Sequence, residues 1–162
     1  MPVVKELKEL LDKQNVKYVT ISHSLAYTAQ ETAELAHVSG KEIAKTVIVE
    51  IDGVLAMAVL PASRHVDVSA LKSAAGAQTV ELAREPEFSG RFPGCDTGAM
   101  PPFGNLYGMS VFVDESLTKD KEIAFNAGTH HELVRLSYAD FETLVKPTVL
   151  NFAYRGAGTS AA

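Results

Sequence analysis

Three short stretches carry groups that could do chemistry. The first, GCDTGAMPPFG at 94–104, holds three glycines, two adjacent prolines and the chain's one cysteine. Glycine allows close backbone approach and proline fixes φ, so this is a stiff, glycine-hinged loop. It is expected to carry Met100 and Phe103 into the open. On its own it reads equally as a rigid surface turn. The second stretch, AKTVIVEID at 44–52, opens a strand-like run with a lysine. Side chains alternate along a strand, so Lys45 shares a face with Val47, Val49 and Ile51. Thr46 lies with Ala44, Ile48 and Glu50. The Lys45 face is the more apolar and should turn toward a core or a cleft. Two readings stay open: a lysine that lays its stem on apolar surface and keeps its head in water, or a cleft lysine that meets a polarised or anionic ligand group.

The third stretch, GTHHELVRLS at 128–137, has adjacent histidines that would point to opposite faces of a strand. His130 then falls with Val134 and Leu136, and His131 with Leu133 and Arg135. His130 is the inward candidate, and a satisfied structural histidine is the plainer alternative. Neighbouring histidines on a strand are poorly placed to share a metal, and no Cys/His spacing of a zinc motif occurs, so no metal or other cofactor is expected. Cys95, with Asp96 and a histidine, is a weaker candidate nucleophile, because no catalytic-cysteine pattern surrounds it.

These groups must be positioned by a chain of 162 residues, the size of one domain. A single domain over 1–154 is expected, with 155–162 as a flexible tail. One cysteine makes no internal disulfide, the N-terminus lacks a signal-peptide pattern, and no apolar run nears the ~20 residues of a membrane span. A cytoplasmic protein without membrane attachment is the expectation. Net charge is −5 with scattered Lys and Arg, which excludes a grip on long duplex DNA but not contact with a single nucleotide terminus.

The pattern predicts a helix over 3–14 from Val3, Leu7, Leu10 and Leu11, a strand over 16–21, and a helix over 28–37 opened by a Thr28/Glu31 capping box. Asp52-Gly53 between two apolar runs predicts a hairpin whose second strand is central. A short helix over 67–76 ends at Gly76, QTVELA is a strand, and REPEFSGRF holds at most one helical turn. MSVFVD, EIAFNA and ELVRLS are strands, and Ser137 caps a helix that runs to Val145. Interspersed helices and strands with a hairpin give a mixed α/β sheet rather than a regular parallel array.

AKTVIV followed by an Asp-Gly hairpin, a GxxxP element at Gly98–Pro102 and a late AG…H segment resemble, in that order, the YbaK-like, prolyl-tRNA-synthetase-associated editing domains. The likeness runs from about residue 15 to 145. It implies one compact α/β domain with a curved mixed β-sheet flanked by helices. It also implies hydrolysis of the ester between a wrong amino acid and the 3′ end of a tRNA. The resemblance carries the family's essential lysine onto Lys45, its loop onto Gly98, Ala99, Met100, Pro101 and Pro102, and its histidine onto His130 or His131. His23, Tyr27, Thr46, Phe103 and Gly128 would complete the pocket. The loop would then be an oxyanion cradle, since backbone N–H groups in fixed directions stabilise charge on an attacked carbonyl. Lys45 would hold the terminal adenosine, and a water oriented by the substrate's own ribose hydroxyl would attack. The expected substrate is a tRNA mischarged with an alanine-, cysteine-, serine- or threonine-like residue, with a synthetase or other tRNA carrier as possible partner. A noncatalytic module that recognises an aminoacyl or nucleotide end is the alternative.

Overall fold

The computed structural model describes residues 4–22 and 42–154. The expected helix over 28–37, Val3, His23, Tyr27 and the tail at 155–162 lie outside them. The chain opens on α1 (Lys5–Lys13), which buries Leu7 and Leu11 and leads into β1 (Tyr18–Ser22). β2 (Ile43–Ile51) and β3 (Val54–Pro61) form the expected hairpin. Asp52 and Gly53 have φ of 51° and 83°, the two positive values that a type I′ turn needs. The Asp52 carboxylate also accepts the N–H groups of Gln78 and Thr79 at 2.8 and 2.9 Å, which ties the hairpin tip to the chain entering β5.

β4 (His65–Val66) precedes α2 (Val68–Ala75), which Asp67 caps through the Ala70 N–H and left-handed Gly76 ends. β5 (Val80–Leu82), one helical turn α3 (Glu85–Phe88), β6 (Ser110–Asp114), β7 (Glu122–Asn126) and β8 (Glu132–Ser137) follow. Ser137 caps α4 (Tyr138–Val145) by accepting the Asp140 N–H at 3.1 Å. Two short strands not anticipated from the sequence, β9 (Thr148–Leu150) and β10 (Ala153–Tyr154), close the described chain.

Eight strands form one mixed sheet in the order β1-β8-β7-β2-β3-β6-β9, with β5 also on β2. Three of its pairings are parallel, β2–β7, β3–β6 and β6–β9. Helices flank this sheet, so the domain is the mixed α/β fold expected. On one side of β2 the pairing changes partner along the strand. β7 runs parallel to it only at Ile43 and Ala44, and β5 joins antiparallel from Val49 to Ile51. Between them the β2 edge at Lys45–Val47 has no strand paired to it on that side among the described residues, which leaves a notch in the described sheet.

Both faces of β2 are covered. Ala44 and Ile48 belong to a core with Met57, Phe103, Phe125 and Phe141. Val49 belongs to a second core with Leu60, Leu71 and Phe152. The Lys45 face was expected to turn toward a core or cleft as the more apolar one, and the Ala44 and Ile48 face is covered as well. β2 lies inside the sheet with apolar cover on both sides, as parallel and mixed central strands require.

Candidate active site

The 94–104 loop does not stand in the open. Asp96-Thr97-Gly98-Ala99 makes a turn closed by the Ala99 N–H on the Asp96 carbonyl at 3.0 Å. Gly98 has φ +88°, the left-handed value that the third residue of a type II turn takes and that glycine supplies without strain. Two further bonds clasp the loop to the turn leaving β7: Asp96 N–H donates to the Gly128 carbonyl at 2.7 Å, and Gly128 N–H to the Ala99 carbonyl at 2.9 Å. The start of α1 holds the same turn, through the Val4 N–H on the Ala127 carbonyl at 2.9 Å.

Beyond the turn, Ala99, Met100, Pro101 and Pro102 are buried. Phe103 is fully buried, with ring centres 5.4 Å from Phe125 and 5.6 Å from Phe141. Phe103 is thus a core anchor and not a wall open to solvent. Met100 is likewise buried rather than carried outward, because apolar surface of this size is more stable in the core than beside the prolines. Gly98 alone of the GxxxP element is exposed. The Ala99 N–H is taken by Asp96, which removes it as an oxyanion donor. The Gly98 N–H points at the Met100 sulfur at 3.1 Å, a weak acceptor.

His130 and His131 lie in the turn before β8, not on the strand, so the alternation argument does not apply to them. The inward residue is nonetheless His130. It is 7% exposed, and its Nε2 sits 3.0 Å from the Thr97 carbonyl oxygen. A Cβ placed on Gly98 would lie 3.6 Å from His130 Cε1, so the imidazole edge flanks that glycine. His131 is exposed. Gly128, expected to touch substrate, spends its N–H and C=O on the clasp, and its Cα faces Val4: an added Cβ would meet Val4 Cβ at 3.2 Å.

Lys45 is half-buried at the notch, one residue beyond the Ala44–Phe125 pairing. It therefore lies beside the end of β7, whose exit turn clasps the Gly98 loop. Burial pushes its ammonium below the ordinary lysine value, since desolvation disfavours the charged form. Among the described residues no carboxylate pairs with it. Thr46, also half-buried, leaves β2 on the face of Ala44 and Ile48. Sequence reasoning missed Asn126, the β7 residue next along from Phe125. Its buried Oδ1 has no partner among the described residues, and it follows the last β2–β7 pair, Ala44–Phe125. Cys95 is half-buried, 3.5 Å from the Tyr107 hydroxyl, and burial raises its thiol pKa. That keeps it a protonated thiol, the opposite of an activated nucleophile.

Among the described residues a half-buried lysine without a carboxylate partner thus follows the end of the β2–β7 pairing, and the turn leaving β7 clasps the loop that holds Gly98. The aminoacyl-tRNA editing domain family matches residues 23–144. The chain belongs to that family, and its activity class is aminoacyl-tRNA hydrolysis. It is 28% identical over 153 residues to the multifunctional Ser/Thr-tRNA deacylase ProXp-y of Escherichia coli (strain K12), covering 91% of each chain. Among solved structures it resembles hypothetical protein APE2540, with a TM-score of 0.82 and 23% identity over 93% of this chain and 100% of that one. A second, provisionally assigned as a trans-editing enzyme for prolyl tRNA synthetase, has a TM-score of 0.78 and 19% identity, covering 93% and 96%. At these identities the two structures speak for the fold.

Proposed function

We propose that this domain acts in trans on tRNA mischarged with serine, threonine or a residue of similar size, and releases the free amino acid. The observation that carries the reading is the half-buried Lys45, a cation without a carboxylate partner among the described residues, at the break between β7 and β5. Such a charge favours an incoming phosphate or polarised ribose oxygen. The named activity of the 28%-identical relative supports the choice of serine and threonine.

In the proposed reaction, water attacks the ester carbonyl carbon and the oxygen of that carbonyl becomes negative. The Gly98 amide is a donor available to that oxygen once the oxygen displaces the Met100 sulfur, a weak acceptor. Removing one such donor typically costs ~3–4 kcal/mol of barrier. The C–O bond to the ribose 3′ oxygen then breaks, and that oxygen takes up a proton as the amino acid leaves. The vicinal ribose hydroxyl orients the water, so no side-chain nucleophile is required. Lys45 holds the terminal adenosine, with Thr46 and Met100 toward the aminoacyl group and Pro101 and Pro102 stiffening the loop. The −5 charge favours delivery of the tRNA by a synthetase or another carrier.

The test is release of amino acid from alanyl-, cysteinyl-, seryl- and threonyl-tRNA above the spontaneous rate. Seryl- and threonyl-tRNA should be turned over fastest, and Lys45→Ala should abolish turnover in a folded protein. Stoichiometric binding without release would favour a noncatalytic binding module. Near-normal turnover by folded Lys45→Ala would sink the assignment of the lysine.

A further inference from the structure

We infer that His130 is a positioning residue that sets the direction of the Gly98 amide, rather than an acid or base that touches the substrate; the inference rests on the deacylase reading above. A backbone carbonyl only accepts, so the 3.0 Å contact between His130 Nε2 and the Thr97 oxygen makes Nε2 the donor. The ring nitrogen nearest the loop therefore already carries its proton and has committed it. The Thr97 carbonyl and the Gly98 N–H belong to one peptide unit. That unit is trans, so its C=O and N–H point in opposite directions across a rigid plane. Fixing the carbonyl fixes the amide.

The rest of the turn leaves this peptide as the one free to rotate. Ala99 N–H is held by Asp96 O, and the flanking Asp96 N–H and Ala99 O are both held by Gly128. In a type II turn the central peptide stands across the chain direction and has no bond within the turn, and its flip to the type I arrangement moves only that unit. The flip would swing the Gly98 N–H away from the side it now faces. His130 is the side chain that holds the carbonyl against it. Gly98 in turn admits the imidazole edge: an added Cβ would touch the ring at 3.6 and 3.9 Å, in a backbone conformation that disfavours any Cβ. The present occupant of the donor's path is a thioether sulfur at 3.1 Å, a weak acceptor that a developing oxyanion would displace. His130, the 97–98 peptide and the Met100 sulfur thus form one chain of contacts that aims a single amide.

The experiment compares wild type, His130→Ala and His130→Gln, all verified as folded by thermal melts. It uses seryl-tRNA as substrate and the ¹⁵N-labelled, ligand-free protein for the Gly98 amide resonance. A glutamine N–H can still reach a carbonyl but offers no imidazole to transfer protons. His130→Ala should lose about a hundredfold in kcat, the scale of one lost oxyanion donor, with little change in KM, and should move the Gly98 amide resonance. His130→Gln should keep kcat within about tenfold of wild type and keep the resonance near its original place. Equal loss in both variants, or a Gly98 resonance indifferent to His130→Ala, overturns the inference. Should the wild-type protein release no amino acid from any charged tRNA, the deacylase reading fails, and the amide measurement alone still decides whether His130 orients Gly98.

Discussion

Asp114 offers the sharpest test of how the C-terminal end of the fold is held. Its carboxylate is 2% exposed at the end of β6. Oδ1 accepts the N–H groups of Phe152 and Ala153, each at 2.8 Å, and Oδ2 accepts the N–H and hydroxyl of Ser116. Asp114→Ala orphans three backbone donors. The Phe152 N–H, in a fully buried residue, cannot regain water and should cost about 2–3 kcal/mol; the half-exposed Ser116 and Ala153 should cost about 1 kcal/mol each. The sum is about 4–5 kcal/mol, or about 12–15 °C in Tm for a chain of this size. Asp114→Asn keeps the oxygen toward Phe152 and Ala153, and the Ser116 hydroxyl can turn to accept its amide. Only the Ser116 N–H is stranded, so the loss should be about 1–2 kcal/mol. Burial alone would raise the Asp114 pKa, but the Ser116 hydroxyl and the Phe152, Ser116 and Ala153 N–H groups outweigh it and hold it below the ordinary aspartate value. A depressed carboxyl stabilises the fold fully above its unfolded-chain value of about 4 and loses that contribution as pH falls through the folded value. Urea melts between pH 7 and 2.5 should therefore show a gap between wild type and Asp114→Asn that is constant down to about pH 5 and closes below about pH 4. An asparagine variant as damaged as the alanine one, or a gap that persists in acid, would refute this reasoning.

Three further outcomes follow from single positions. Gly104→Ala would put a Cβ 2.3 Å from the Met109 carbonyl oxygen and 2.6 Å from Val111 Cγ2. Backbone cannot yield as a side chain does, so a loss of about 3 kcal/mol is expected by denaturant melts; a neutral result would mean the loop re-routes. Lys45→Met should abolish deacylation yet leave Tm unchanged or raised. A lysine whose folded value lies below its unfolded one costs stability at neutral pH, a cost relieved only as pH rises through the folded value. A clear fall in Tm would point to a structural partner for the ammonium instead. Cys95→Ser should deacylate within about twofold of wild type, since a thiol raised by burial carries little thiolate; loss of turnover would revive the cysteine hydrolase.

Most of the fold was legible because its signals are local. The Asp52-Gly53 turn, the Asp67 and Ser137 caps and left-handed Gly76 each depend on a few consecutive residues. β9 and β10 were missed for the opposite reason. Each is short, and each exists through a distant partner: β9 lies on β6 from Phe112 to Asp114, and β10 on β4 at His65 and Val66. Phe103 misled because a loop of glycine and proline reads as surface, whereas here its far end plunges between Phe125 and Phe141.

The site was legible in its residue types and not in its construction. Lys45 was judged inward because its face looked the more apolar, but β2 has core on both faces and the alternation cannot discriminate. What sets Lys45 apart is its place where β2 changes partner from β7 to β5, a property of register between segments far apart in sequence. His130 was chosen by a strand-face argument although it lies on a turn. Its inward position follows from the clasp, in which Gly128 holds both ends of the Asp96–Ala99 turn and so carries the imidazole two residues later against Thr97. The same clasp decides which amides are left over. With Ala99 N–H used to close the turn and the prolines lacking one, the GxxxP pattern is left with the N–H groups of Gly98, which meets the Met100 sulfur, and of Met100. The glycine is needed for its positive φ, and the prolines and Phe103 for immobility. The proposed oxyanion contact of Gly98 then depends on the orientation of one peptide plane, which no reading along the chain could have isolated.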